Sequence, residues 1–357
     1  MHTKLRYGII GCGGIARGLY LPSIQKLEDA EITAFCDSAP EKAEKLNNEF
    51  CGGRGKVFSC YRELIKEDLD AVFVLTPNNS HCEISTAALL AGKHVMCEKP
   101  MAINYAEAKT MIAARNESKK LLTIGYQNRF RPDSLYLKAE CDSGVLGEIY
   151  FAKATALRRR AVPAWGVFLD EKTQGGGPLI DIGTHALDLT LYMMNNYEPV
   201  YAAGTVYHKL NKDTDTGNDW GHWDPDKFTV EDSAFGFVVM KNGATIIVQS
   251  SWALNITEIR EAVTTLCGTK AGADMPKARE LIINGVKNGR QYTIKPDFNT
   301  GISQGNEADI ETRIFTDAIR GKGELCVLPE QAAVVTRILE GIYIAAKTGK
   351  PYFFSED

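Results

Sequence analysis

Leu5-Arg6-Tyr7-Gly8-Ile9-Ile10-Gly11-Cys12-Gly13-Gly14-Ile15-Ala16 is the stretch that decides the fold. A short apolar run reads as a strand, a glycine turn follows it, and a helical stretch then continues to Leu27. The turn fits G-x-G-x-x-A. Gly11 permits a tight bend, Gly13 lets a pyrophosphate approach the backbone, and Ala16 is small enough for close packing of helix on strand. Phosphates there would meet free N–H groups at a helix N-terminus, where the dipole favours negative charge. Gly11, Gly13, Gly14, Ile15 and Ala16 are therefore candidate cofactor contacts. The next strand, Glu31 to Cys36, ends at Asp37. A carboxylate at that place can accept hydrogen bonds from both ribose hydroxyls and would repel a 2′-phosphate, which favours NAD over NADP.

Outward from this turn the chain keeps alternating. Helix-like Pro40 to Phe50 is followed by strand-like Ala71 to Leu75, helix Ser80 to Ala91, strand His94 to Cys97, helix Asn104 to Lys119 and strand Leu121 to Gly125. Repeated βα units predict a parallel sheet covered by helices on both faces, a Rossmann domain over residues 1–128. After about residue 130 strands dominate: Ile149 to Leu157, Val200 to His208, Ser233 to Met240, Thr245 to Trp252 and Ile259 to Gly268. Asn242-Gly243 between two of them is a hairpin signal. Residues 129–357 thus read as an α+β domain with a large, mostly antiparallel open sheet, closed by helices Glu307 to Arg320 and Pro329 to Ala346.

Composition bounds the function classes. The 357 residues suit two domains, and 41 basic against 45 acidic side chains give a net charge of −4. Nothing in that balance calls for a nucleic-acid or membrane partner. The start of the chain lacks the pattern of a secretory signal, and the apolar runs are strand-sized. Nine scattered cysteines with no C-x-x-C pair read as small buried hydrophobes kept reduced in a cytoplasmic protein. No metal site is expected; a site using His222 as third ligand would need a distant loop to fold in.

Two further places carry chemistry. Glu98-Lys99-Pro100 ends a strand, and in open α/β sheets ligands lie beyond the carboxyl ends of the strands. Lys99 there can hydrogen-bond a substrate hydroxyl, although a surface pair with Glu98 is the plainer reading. In Gly175-Gly176-Gly177-Pro178-Leu179-Ile180-Asp181-Ile182-Gly183-Thr184-His185, Asp181 and His185 stand at i and i+4, one face of a helix. An imidazole can accept an alcohol proton, and a neighbouring carboxylate can orient the ring or the substrate. A capping Asp181 and a packed His185 compete with that reading.

These motifs, with Thr76-Pro77-Asn78-x-x-His81 and Ala91-Gly92-Lys93-His94-Val95-x-x-Glu98-Lys99-Pro100, resemble the Gfo/Idh/MocA oxidoreductase family. The resemblance implies NAD as cofactor and Lys99, Asp181 and His185 as the catalytic group. It places Thr76, Pro77, Asn78, His81, Glu98, Lys99 and Gln127 at the cofactor, with Asn78 and His81 on the nicotinamide side. It also implies a homo-oligomer formed through the second sheet. Gln127 and Asn128 follow the last Rossmann strand and could face cofactor or substrate, whereas Arg129 and Arg131 read as exposed ion-pair residues.

Arg158, Arg160 and Trp165 lie after the first strand of the second domain. Arginine donors with an apolar ring face suit a small neutral sugar, so these residues join Lys99, Asn128, Asp181 and His185 as substrate candidates. Trp220 and Trp223 in the polar loop 211–226 form a second aromatic set that could cover a glycosyl group. The expected reaction is NAD-dependent oxidation of a secondary hydroxyl of a sugar, glycoside or cyclitol, and the resemblance of the Arg158–Phe168 segment to family members that oxidise C3 of glucosides implies C3 of a glucoside as the favoured position. A glycosidase using transient C3 oxidation and a non-enzymatic sugar or dinucleotide sensor are the alternatives.

Overall fold

The computed structural model describes residues 4–298 and 306–355. The first sheet contains β1 (Leu5–Ile10), β2 (Ala30–Cys36), β3 (Lys56–Phe58), β4 (Ala71–Val74), β5 (His94–Glu98) and β6 (Leu122–Gly125). Its order is β3-β2-β1-β4-β5-β6 and every pairing is parallel. This is the doubly wound arrangement whose strand order reverses between β1 and β4, where such sheets bind ligands. Its helices are α1 (Leu21–Gln25), α2 (Pro40–Cys51), the short α3 (Tyr61–Leu64), α4 (His81–Leu90) and α5 (Tyr105–Ser118).

Then follow α6 (Pro132–Asp142), β7 (Ile149–Leu157), the short α7 (Glu171–Gln174), α8 (Thr184–Met194), β8 (Pro199–Tyr207), β9 (Ser233–Met240) and β10 (Thr245–Ser251). The chain continues through β11 (Arg260–Gly268), β12 (Ala271–Asp274), β13 (Ile282–Lys287), β14 (Arg290–Ile294), α9 (Glu307–Ile319), α10 (Pro329–Thr348) and β15 (Tyr352–Phe353). The second sheet has nine strands in the order β14-β13-β12-β11-β7-β10-β9-β8-β15. It is antiparallel except where β10 runs beside β7. The β9–β10 hairpin turns at Asn242-Gly243 as its sequence predicts, with Gly243 at φ +87°.

Two compact units result, the first ending at Gln127 and the second starting at Asn128. The grouping departs from a simple 1–128 and 129–357 division, because α9 and the chain up to Ala333 belong to the first unit. The cause is packing. Phe315 of α9 meets Phe73 edge-on at 5.8 Å, Phe73 also packs on Tyr7 and Tyr20, and Thr316 hydrogen-bonds the Tyr7 hydroxyl at 2.8 Å. Asn306 and Asp309 form a capping box that starts α9.

In the second unit, Gly204 of β8 and Gly236 of β9 face Ile342 of α10 so closely that a Cβ on either would lie under 3.0 Å from it. Helix α8 packs on β7 and β11. Strand alternation turns Tyr201, Phe235, Phe237 and Ile247 to the other face. On that face Phe237 is 39% exposed, and Phe353 of the edge strand is 67% exposed.

Candidate active site

In the first unit, β1 delivers Gly11 at φ +96°, and a Cβ there would lie 2.4 Å from the Leu75 carbonyl oxygen. Only glycine makes this turn without strain. A Cβ on Gly13 or Gly14 would meet nothing within 4 Å, so the space over the turn is open as a pyrophosphate requires. Ile15 is 47% exposed beside that space, whereas Ala16 is fully buried and serves the helix–strand contact. The helix enters through a π-turn at Ala16–Tyr20. Asp37 is fixed by two backbone donors, Cys12 N to Oδ2 at 2.8 Å and Ala39 N to Oδ1 at 3.0 Å. A carboxylate has about four acceptor sites, so Asp37 keeps capacity for ribose hydroxyls. Burial pushes the Cys12 and Cys36 thiols up to about 12, which leaves them protonated packing groups.

Glu98 closes β5 from inside the protein. Its Oε1 accepts the Tyr20 hydroxyl at 3.0 Å, and its Oε2 accepts the Lys99 N–H at 2.9 Å. The same Tyr20 hydroxyl lies 3.2 Å from Glu311 Oε2 of α9, so its proton is shared between the two carboxylates. Glu98 is thus a buried brace for the half-buried Lys99, not a surface partner. Asn78 is buried, Thr76 is half-buried and Pro77 is exposed after β4. Gln127, past the end of β6, has a buried Oε1 without a hydrogen-bond partner in the protein. Such an acceptor is what a carboxamide N–H would satisfy. The open glycine turn, the free capacity of Asp37 and the orphan Gln127 oxygen together fit NAD.

His81 requires a correction. Its ring is fully buried, with Nδ1 2.8 Å from the Pro100 carbonyl and Nε2 2.8 Å from the Thr76 carbonyl. Burial holds the imidazole below its ordinary value against the pull of the two carbonyls. His81 therefore fixes the loops that bear Thr76 and Lys99 and does not itself face a ligand.

In the second unit, Asp181 lies in a π-turn, Leu179–Gly183, that leads into α8. From Leu179 to Leu191 every residue is buried except Asp181 and His185, so the pair shares the one open face of this segment. π-Turns inside helices recur at functional sites. Three groups that sequence reasoning missed hold the segment. Trp252, fully buried, donates its indole N–H to Asp181 Oδ2 at 3.0 Å. Glu231 accepts the Gly177 N–H at 2.8 Å, the Leu179 N–H at 3.1 Å and the Tyr343 hydroxyl at 2.8 Å. It thereby satisfies donors at the start of the helical segment that would otherwise lack partners. Desolvation nonetheless pushes the Glu231 carboxyl up to about 7. The third is Arg129, read from sequence as exposed. It is fully buried and bidentate on Asp188 of α8 at 2.9 and 2.6 Å, with its guanidinium 4.4 Å from the Tyr192 ring. The half-buried Asn128 precedes it.

Arg158 is corrected in role. Its guanidinium is engaged by Glu261, by the Ala161 carbonyl at 3.2 Å and by the Trp220 ring at 4.6 Å. It supports the loop and has little left to offer a substrate. Arg160 bonds Asn255 at 2.7 Å. Trp165 and Trp220 are 53% and 42% exposed with ring centroids 5.3 Å apart. Trp223 is buried beneath the loop instead of standing over a ligand, its N–H on the Asn211 carbonyl at 3.0 Å. His222 is exposed and within 3.1 Å of the Thr216 hydroxyl. Among the described residues no group of three or more His, Cys, Asp or Glu could hold a metal. No helix among them is long and apolar enough to cross a membrane.

Residues 5–126 match the family described as an oxidoreductase family with an NAD-binding Rossmann fold, and residues 134–274 match the GFO/IDH/MocA C-terminal domain. The chain is similar to the D-glucoside 3-dehydrogenase of Escherichia coli K12, 34% identical over 348 residues that cover 97% of each chain. Its fold is similar to that of an aldose-aldose oxidoreductase from Caulobacter crescentus solved with glycerol, at TM-score 0.80 and 25% identity over 98% of this chain and 100% of that one. A levoglucosan dehydrogenase solved with NADH and levoglucosan superposes at TM-score 0.84 and 21% identity, over 99% of this chain and 100% of that one.

Proposed function

The chain belongs to the GFO/IDH/MocA family of NAD-binding sugar oxidoreductases, and on that premise we propose that it oxidises the C3 hydroxyl of a glucoside to a 3-keto glycoside. The observation that carries the reading lies in the second unit. Trp252 bonds Asp181 through its indole, and its carbonyl accepts the Ala161 N–H at 3.0 Å. Through that residue the Asp181/His185 face is tied to the segment that presents Trp165. Exposed indoles on a segment tied to a carboxylate and an imidazole suit a sugar, because ring C–H groups stack on aromatic faces while hydroxyls bond polar groups. The likeness to D-glucoside 3-dehydrogenase over nearly the whole chain supports the same substrate class.

When bound, NAD supplies the hydride acceptor, so that CH–OH becomes C=O with loss of one hydride and one proton. The protein's part is the proton and the orientation. His185 takes the hydroxyl proton as general base. Asp181 orients the imidazole or a neighbouring hydroxyl and stabilises the positive charge that develops. Lys99 donates to the substrate oxygen and stabilises negative charge on it. Asp37 selects NAD by accepting from the adenosine ribose. Self-assembly through the open sheet face with Tyr201, Phe235 and Phe237 belongs to the same proposal.

The test is purified protein with NAD and a panel of glucosides, free hexoses and inositols, assayed for both NADH and keto sugar. A keto glucoside formed by the wild type and lost in K99A, D181N and H185A is expected. Oxidation of inositols alone would move the substrate class. Aglycone release without net NADH would favour transient oxidation and elimination. Absence of any redox product would overturn the proposal.

A further inference from the structure

We infer that Trp252 is a positioning residue for this reaction, acting through Asp181 and tying that carboxylate to the loop that carries Trp220. The inference rests on the reading above in which Asp181 works on the substrate. An indole N–H can only donate, and this one is aimed at Asp181 Oδ2 from a fully buried ring. Burial of the ring holds its orientation, and its backbone is engaged on both sides. Trp252 N donates to the Asp232 carbonyl at 3.1 Å, and its own carbonyl holds Ala161 N. Its ring packs on Phe228 with centroids 6.3 Å apart, and Phe228 meets Trp223 edge-on at 5.8 Å. Trp223 in turn anchors the loop by its bond to Asn211.

A row of three buried rings therefore runs from the base of the loop to the Asp181 carboxylate. The same loop carries Trp220, and its Asn218 is bonded to both N and O of Val162, at 2.8 and 3.0 Å. The loop and the Arg158–Trp165 segment thus meet at Trp252 through backbone as well as through rings. A tryptophan that only filled space would not need its N–H, and losing that donor would leave kcat unchanged in a variant that still folds.

The experiment compares W252F, D181N and the double variant, by steady-state kinetics, by NADH binding, and by the Trp252 indole resonance in NMR spectra. W252F keeps a ring against Phe228 and removes only the donor and part of the indole. The inference expects kcat to fall about 10-fold or more, as small misplacements of reacting groups do. The KM for glucoside and the affinity for NADH should stay within about 2-fold, since a donor acting through Asp181 contributes to turnover and not to ground-state binding. The double variant should be no slower than D181N alone, and the indole proton should shift in D181N. W252F with wild-type kcat beside an impaired D181N would overturn the inference and leave the role of Asp181 standing. Fully active D181N would overturn both. If W252F fails to fold, an indole proton unmoved in D181N is sufficient to overturn the inference.

Discussion

Replacing Glu231 by glutamine tests whether the catalytic segment rests on a buried, titrating carboxylate. In the folded protein that carboxyl is held up to about 7, chiefly by desolvation, against an ordinary value of 4.5. The folded state therefore binds the extra proton between these values, and stability contributed by this group falls as pH rises through that window. At about 1.4 kcal/mol per pH unit the full penalty approaches about 3 kcal/mol, and most of it accrues between pH 5 and pH 8. Glutamine has no such dependence. Its amide nitrogen would face one of the N–H donors of Gly177 and Leu179, a pH-independent cost of about 1–3 kcal/mol. Hydrogen exchange of the segment from Gly175 to Leu187 reads the difference, because comparing variant and wild type at one pH cancels intrinsic rates. The ratio of exchange in E231Q to that in wild type should be highest at pH 5 and fall by at least about 10-fold by pH 8. A ratio that is flat across this range would refute the reasoning, since Glu231 would then be ionised throughout in the folded protein as in the unfolded chain.

Other substitutions have equally definite outcomes. D37S should raise the KM for NAD about 10-fold and allow measurable turnover with NADP, seen in paired cofactor titrations, because it removes two acceptors and the charge that repels a 2′-phosphate. R129M leaves Asp188 buried without its partner and should cost about 3–5 kcal/mol in denaturant unfolding, much of it recovered in R129M/D188L. F237E places a charge on the exposed aromatic face of the second sheet and should lower the sedimentation-derived mass at micromolar concentration while NADH binding persists. An unchanged mass would exclude that face as the assembly surface.

Five of the six strands of the Rossmann sheet were legible because their signals are local, whereas the three-residue edge strand β3 escaped notice. Each βα unit states its own period, and the turn from Gly11 to Ala16 states its chemistry by residue size alone. The 129–357 sheet was legible as a class, but β12 to β14 escaped notice because they are short and punctuated by Gly272, Gly285 and Gly289. The Asp181/His185 pair could be found by spacing, and the structure adds that both escape burial in an otherwise buried run. What could not be read were long-range partners. Trp252 lies far along the chain from Asp181, Glu231 from Gly177, and Arg129 from Asp188, and no pattern within a window links them. Arg158 and His81 were misread for the complementary reason. A residue's type advertises what it can bond, while Glu261 and two backbone carbonyls had already claimed these two.

The return of α9 to the first unit bears on how the protein is made. A ribosome releases the six strands of the parallel sheet early, yet Phe315 and Thr316, which cover Phe73 and Tyr7, emerge only after β7 to β14 of the second sheet. Domains generally fold as units in order of synthesis, but this first unit must wait with an uncovered aromatic patch while the insertion within it is completed. A fragment ending at Gln127 would expose that patch permanently. The nascent chain at the same length is thus the stage at which chaperone capture would be strongest, and the arrival of α9 decides whether the nucleotide-binding unit closes.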